Sequence, residues 1–279
     1  MSSLPITRLG LIAGGGAVPG DVARSAAAQG IGVHILAFDG VTDPDLLREW
    51  PHDFIQFDRV GDILSALKRS GCDAVCMVGK VARPDFAKLR PDMTGISLLP
   101  KVIAAARKGD DALLQVLVGF FQKKGFAVVG AHELSGDGTA AAGPLGTVRP
   151  DAAARADIAR AVQVVLRLGE LDIGQGAVVR DGHVLAVEAA EGTDRMLERC
   201  VGLVAGRGGV LVKLTKPGQD HRVDLPTIGV ETVRRAAAAD LSGIAVQAGA
   251  AIIVDPAATR QTADAAGLFV VGIDPEAVG

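Results

Sequence analysis

The chain has 279 residues, enough for one large domain or two of moderate size. A formal net charge of −3 argues against a general nucleic-acid binder, and the three cysteines, Cys72, Cys76 and Cys200, lack metal-ligand spacing and read as reduced, buried residues. Hydrophobic residues make up 49% and aromatics only 3%, so the cores are aliphatic, and Ala and Val abundance accounts for the mean hydropathy of +0.33.

Leu9 to Ala13 is an apolar run that ends in Gly14-Gly15-Gly16, and a helical pattern starts at Val18-Pro19 and ends near Gln29-Gly30. Val33 to Phe38 is a second buried strand, closed by Asp39-Gly40. This β-glycine loop-α-β opening is the first third of a doubly wound sheet. A short strand at Phe54-Ile55, a helix from Asp62 to Arg69 and a central strand from Ala74 to Val78 follow. Gly79 to Pro84 is a polar loop with Lys80 and Arg83; a helix around Ile103, another from Asp110 to Lys124 and a strand from Ala127 to Gly130 complete a first domain, 1–130. Residues 131–150, rich in Gly, Ala and Pro, read as a linker, and 151–279 as a second α/β domain.

Asp151 caps a helix that runs to about Gly169. Gln175 to Val179 and Val184 to Glu188 form a hairpin around Asp181-Gly182. Glu191-Gly192-Thr193-Asp194 opens a helix through Met196 and Leu197, with Thr193 and Asp194 either capping it or touching a ligand. A buried strand at Gly209 to Val212 leads into KLTKPGQDHRVDLPTIG, Lys213 to Gly229. Beyond it lie a helix (Glu231 to Asp240), strands at Gly243 to Val246 and Ala251 to Val254, a helix from Pro256 to Ala266 and a last strand, Leu268 to Val271. No stretch approaches the ~18 apolar residues of a spanning helix. The N-terminal apolar run is too short and glycine-rich for a signal peptide, so a cytoplasmic location is expected.

The Lys213 to Arg222 loop, with Asp224, is the densest polar feature and follows a buried strand, where α/β proteins place chemistry. Its cations Lys213, Lys216 and Arg222 suit an anion; Asp220 and Asp224 suit a divalent metal or a water to be activated. Gly14, Gly15 and Gly16 sit where backbone N–H groups hold a phosphate, although a tight turn without ligand has the same composition. Pro19 stands where a dinucleotide fingerprint has its third glycine. Lys80 and Arg83, on an adjacent strand's loop, flank the same position or form a solvated turn.

Six segments carry a resemblance: LGLIAGGGAVP (Leu9 to Pro19), VGKVARPDF (Val78 to Phe86), ARKGDDALL (Ala106 to Leu114), LDIGQGAVV (Leu171 to Val179), EGTDRML (Glu191 to Leu197) and KPGQDHRVDLPTIG. The chain resembles the LpxI-type UDP-2,3-diacylglucosamine pyrophosphatases of lipid A biosynthesis. That resemblance implies a Rossmann-like N-terminal domain, a distinct C-terminal α/β domain and a substrate cleft between them. It implies Mg2+-dependent hydrolysis of UDP-2,3-diacylglucosamine to UMP and 2,3-diacylglucosamine 1-phosphate (lipid X). It singles out Asp224 as the key carboxylate; Asp220 is either a second metal ligand or a solvated side chain. Gly14, Gly15, Gly16, Lys80, Arg83, Gln175, Thr193, Asp194, Lys213, Lys216, Gln219 and Arg222 are the expected substrate contacts. It further implies peripheral association with the inner-membrane surface, an apolar cleft for the acyl chains, and a homodimer. Apart from the resemblance, an NAD(P)-linked oxidoreductase and a non-catalytic nucleotide-binding protein fit the same residues.

Overall fold

The structure, a computed structural model, describes residues 6–82, 89–107, 109–134, 138–203, 205–218, 222 and 225–278. The chain folds as two units, one running to residue 136 and including Arg222, the other holding most of the remainder.

The first unit contains β1 (Arg8–Ala13), α1 (Val18–Ala28), β2 (Gly32–Phe38), α2 (Pro44–Glu49), β3 (His52–Ile55), α3 (Val60–Arg69), β4 (Ala74–Val78), α4 (Met93–Ala106), α5 (Asp110–Lys123), β5 (Ala127–Val128) and α6 (Ala131–Leu134). Its five strands form one parallel sheet in the order β3-β2-β1-β4-β5. The order reverses between β1 and β4. Right-handed crossovers that run opposite ways from that point put α1 and α3 on opposite faces. On one face Leu36, Phe38, Ile63, Leu64, Leu67, Val75, Phe121 and Phe126 form an apolar core. Covered on both sides, the strands need no polar face, which is why β1, β2 and β4 read as unbroken apolar runs.

Two helices differ from the sequence expectation for identifiable reasons. The six-residue α2 is too short for periodicity to show it. Its start signals are present, however: Asp43 accepts from Asp45 N–H at 2.9 Å, and Pro44 follows. The helix expected around Ile103 extends over fourteen residues despite Pro100 inside it. Asp92 begins it, accepting from Gly95 N–H at 2.7 Å and from Gly61 N–H of α3 at 2.6 Å.

The second unit contains β6 (Gly143–Pro144), α7 (Ala152–Glu170), β7 (Gly176–Arg180), β8 (His183–Val187), α8 (Gly192–Cys200), β9 (Val210–Lys213), β10 (Thr227–Ile228), α9 (Val230–Ala238), β11 (Gly243–Gln247), β12 (Ile252–Ile253), α10 (Pro256–Ala266), β13 (Phe269–Ile273) and α11 (Pro275–Val278). Six strands form one sheet in the order β6-β13-β11-β9-β7-β8, and β10 pairs with β12 separately. β9, β11 and β13 are mutually parallel; β7 runs antiparallel to β9 and makes a hairpin with β8. Residues of the stretch read as a linker reach this sheet, since β6 pairs with β13 and Leu145 N–H donates to Val270 O at 2.8 Å.

Strand alternation divides the core into two layers. Val210 and Val212 pack with Ile158, Val162 and Val165 of α7. Leu211 packs with Met196, Leu197, Val233 and Val246 on the side of α8 and α9. The expected Asp-Gly hairpin turn is present, with Asp181 and Gly182 both at positive φ, 51° and 74°. It is fastened from α7 by Asp157, buried at 3% exposure, which accepts from Asp181 N–H at 3.0 Å and Gly182 N–H at 2.8 Å.

Asp73 fastens the start of β1, accepting from Thr7 N–H, Thr7 Oγ1–H and Arg8 N–H at 2.9, 2.5 and 3.1 Å. Burial opposes its ionisation, but the hydrogen bonds from Thr7 and Arg8 outweigh it and hold its pKa below the usual carboxylate range. A carboxylate depressed in the folded state stabilises above its unfolded value, about 4. That contribution is lost as the pH falls through the lower folded value. Asp73→Asn is therefore expected to lower stability at pH 7 and to flatten its decline below about pH 4, as read by urea denaturation at a series of pH values.

Candidate functional site

In the first unit the site is the turn after β1. The strand order reverses between β1 and β4, and the carboxyl ends at such a reversal are where open α/β sheets receive ligands. Gly14 N–H donates to Val78 O, Gly15 N–H to Lys80 O and Lys80 N–H to Gly15 O, each at 2.8 Å. The glycine turn and the Lys80 turn are thus stitched together by their backbones. A Cβ on Gly14 would meet Gly79 C and Lys80 O at 2.7 Å; one on Gly79 (φ +97°) would meet Gly14 C at 2.8 Å and Pro19 Cγ at 2.9 Å. Only glycine lets the two turns approach this closely.

This pairing changes which donors remain for a ligand. The N–H groups of Gly14 and Gly15 are engaged, Pro19 has none and Gly20 N–H bonds Ala17 O at 3.1 Å, so among the described residues the outward donors are those of Gly16, Ala17 and Val18; the N-cap Ala17 supplies no side-chain cap. Gly16 (φ +94°) has open space where a side chain would stand. Lys80 is exposed beside it. Gly14, Gly15, Gly16 and Lys80 are therefore brought together, and Arg83 lies outside the described residues. Arg222 groups with this unit, beside Gly130.

In the second unit the site lies at the carboxyl end of β9. Lys213 follows Leu211 on the side of α8, so its stem leaves the sheet among apolar neighbours and its ammonium meets the first turn of α8. It is only 4% exposed. Lys213 Nζ donates to Thr193 Oγ1 at 2.7 Å and reaches Thr227 O at 3.4 Å. Thr193 Oγ1–H donates to Glu188 Oε1 at 2.8 Å. Glu188 Oε2 is 4.0 Å from Lys213 Nζ and accepts no hydrogen bond among the described residues.

The other expected contacts separate around this cluster. Gln175 precedes β7; its carbonyl accepts from Leu214 N–H at 3.0 Å, and its buried Oε1 is an open acceptor among the described residues. Lys216 is turned to Asp172, with Nζ to Oδ1 at 2.5 Å. Asp194 faces Arg235 of α9 at 3.8 Å rather than Lys213. Gln219, Asp220, His221 and Asp224 lie outside the described residues. Glu188 and Gln247, which accepts from Thr215 N–H and Oγ1–H at 3.1 and 2.7 Å, are polar members outside the motifs, and Asp172 lies within LDIGQGAVV without having been singled out. Strand parity was the available signal: Glu188 ends a hairpin strand five residues before Thr193, opposite Gly176.

Two α/β units with glycine-rich and cationic turns at the carboxyl ends of parallel strands define a class of protein suited to anionic ligands. The chain belongs to the LpxI family: the LpxI N-terminal domain matches residues 8–137 and the LpxI C-terminal domain residues 141–271. It is 49% identical over 276 residues to the UDP-2,3-diacylglucosamine pyrophosphatase LpxI of Caulobacter vibrioides (strain ATCC 19089 / CIP 103742 / CB 15), covering 96% of this chain and 98% of that one. A CobK precorrin-6A reductase structure aligns with 96% of this chain and 88% of its own at 14% identity, but its TM-score of 0.31 carries no argument about fold or function.

The glycine contacts separate two costs. Gly16→Ala meets open space and bears only the left-handed backbone, about 1–2 kcal/mol. Gly79→Ala adds collision with Gly14 and Pro19 and is expected to cost about 3 kcal/mol or more. Equal losses for the two variants in urea denaturation would contradict the close packing of the turns.

Proposed function

We propose that this protein hydrolyses the pyrophosphate bond of UDP-2,3-diacylglucosamine, giving UMP and 2,3-diacylglucosamine 1-phosphate (lipid X), a step of lipid A biosynthesis. The observation that carries this reading is the 49% identity, over 96% of the chain, with the Caulobacter protein of that name. The residues are in keeping with it. A pyrophosphate carries about two negative charges, and the cations for it are Lys80, Arg83, Lys216 and Arg222, with the Gly16 turn and the start of α1 supplying N–H donors. Asp224 is the carboxylate on which turnover depends, and Gln175, Thr193, Asp194 and Gln219 complete the polar contacts.

Mg2+ is the proposed cofactor. Among the described residues no three His, Cys, Asp or Glu side chains group as a metal site. Mg2+ is commonly held by one or two carboxylates together with substrate phosphates and water, a requirement that Asp224 and Asp220 fit. When bound, it neutralises charge developing on the phosphate oxygens. The test is UMP release from UDP-2,3-diacylglucosamine. Turnover is expected from the wild type with Mg2+ and none after chelation. Asp224→Ala is expected to fall by about a hundredfold or more, the scale of losing a group that acts in the transition state. Wild-type turnover by Asp224→Ala would overturn the assignment of that residue; no turnover by the wild type would overturn the activity.

No helix among the described residues is long and apolar enough to cross a membrane. We place the protein in the cytoplasm, on the inner-membrane surface where a diacyl substrate resides, as a homodimer. Light scattering is expected to give twice the chain mass of 28.5 kDa, and vesicles carrying the substrate are expected to sediment the protein with them.

A further inference from the structure

Lys213 ends β9 and Thr227 begins β10, so these two residues are the roots of the 214–226 segment that carries Asp224. Between the roots runs a hydrogen-bond chain whose direction chemistry dictates. An ammonium only donates, so Thr193 Oγ1 accepts from Lys213 Nζ at 2.7 Å. The one hydroxyl proton of Thr193 then goes to Glu188 Oε1 at 2.8 Å. Glu188 Oε2 stands 4.0 Å from the same ammonium, the side chains of the two residues being 5% and 10% exposed. A charge pair this far from water interacts more strongly than one at the surface. A Cβ on Gly176 would come within 2.6 Å of Glu188 Oε2, so glycine at that position makes the room for the carboxylate.

The far end of the chain falls on β10, which has only two residues. Its neighbours along one edge are fixed by β12: Ile252 N–H donates to Pro226 O at 2.8 Å and Val254 N–H to Ile228 O at 2.9 Å. The carbonyl between them, Thr227 O, points to the opposite edge, as alternation in a strand requires. There Lys213 Nζ reaches it at 3.4 Å. So short a strand lacks the hydrogen bonds to hold its own position.

We infer that Glu188 is a positioning residue that acts through Thr193 on Lys213, and that Lys213 ties the two roots of the 214–226 segment together. The consequence for catalysis rests on the hydrolytic reading proposed above; the tie between the strands does not.

Two measurements test it. The first is amide hydrogen exchange at Ile252 and Val254, whose N–H groups hold β10. Glu188→Gln and Thr193→Val are expected to exchange at least about tenfold faster there, and Thr193→Ser, which restores the hydroxyl, is expected to keep wild-type protection. The second is turnover of UDP-2,3-diacylglucosamine. Glu188→Gln is expected to lower kcat about tenfold with KM within about twofold, and to add nothing in a Lys213→Met background. Unchanged exchange in Thr193→Val, or a Glu188→Gln loss that persists undiminished once Lys213 is Met, would overturn the inference. Should Glu188→Gln fail to fold, the Thr193→Val and Thr193→Ser pair decides it. Should the wild type fail to turn over the substrate, the hydrolytic reading falls and the exchange arm still decides the tie.

Discussion

A lysine ammonium at the end of a buried strand governs the second unit. Removing such a charge from water costs several kcal/mol unless partners meet it. Lys213 is met by the Thr193 hydroxyl, the Glu188 carboxylate and the Thr227 carbonyl. Those partners come from the start of α8, the end of the β7–β8 hairpin and the start of β10. One buried charge therefore makes three elements depend on one another's placement. Truncating any partner leaves the others buried and unsatisfied, a larger penalty than the bond itself is worth.

The first unit solves a different problem by the opposite means. Its candidate site uses closeness instead of charge. Gly14 and Gly79 remove the side chains that would keep the β1 and β4 turns apart, and the backbones then bond directly. The exposed Lys80 is held by its backbone N–H and C=O on Gly15. A cation carried by a rigid turn loses less freedom on meeting an anion than one on a free loop. The glycines thus place the lysine, and the phosphate-type donors shift one step along the chain to Gly16 and α1.

Much of the fold was legible in the chain because parallel strands covered on both faces read as apolar runs, as β1, β2, β4 and β9 do. The Asp181-Gly182 turn was equally plain, since two successive positive φ values favour that pair. The two-residue strands β6 and β10 were not legible as such, whereas β5 and β12 fall within the expected strands at Ala127 to Gly130 and Ala251 to Val254. Elements of that length are defined by the partner they bond to, and the partner is remote in sequence. The long α4 was obscured by Pro100, which local propensity disfavours inside a helix but which the exposed position tolerates. In the candidate site, residue type pointed to Lys213 and Thr193, and the resemblance pointed to Gln175. Only strand parity marked Glu188, and its part comes from standing opposite Gly176 and across from α8.

Sequence alone determined the α/β class, the positions of the long elements, the glycine and charged turns at strand ends, and the likeness to the LpxI family. These depend on periodicity, turn chemistry and motif, which are properties of neighbouring residues. Tertiary structure decided the order of the strands, which glycine donors are already engaged, and which of the polar residues meet. Lys216 goes to Asp172 and Asp194 toward Arg235, while Lys213 and Thr193 join Glu188. Hydrogen bonds and ion pairs are short-ranged and directional, so their pairing is settled only when strands and helices distant in the chain are packed side by side.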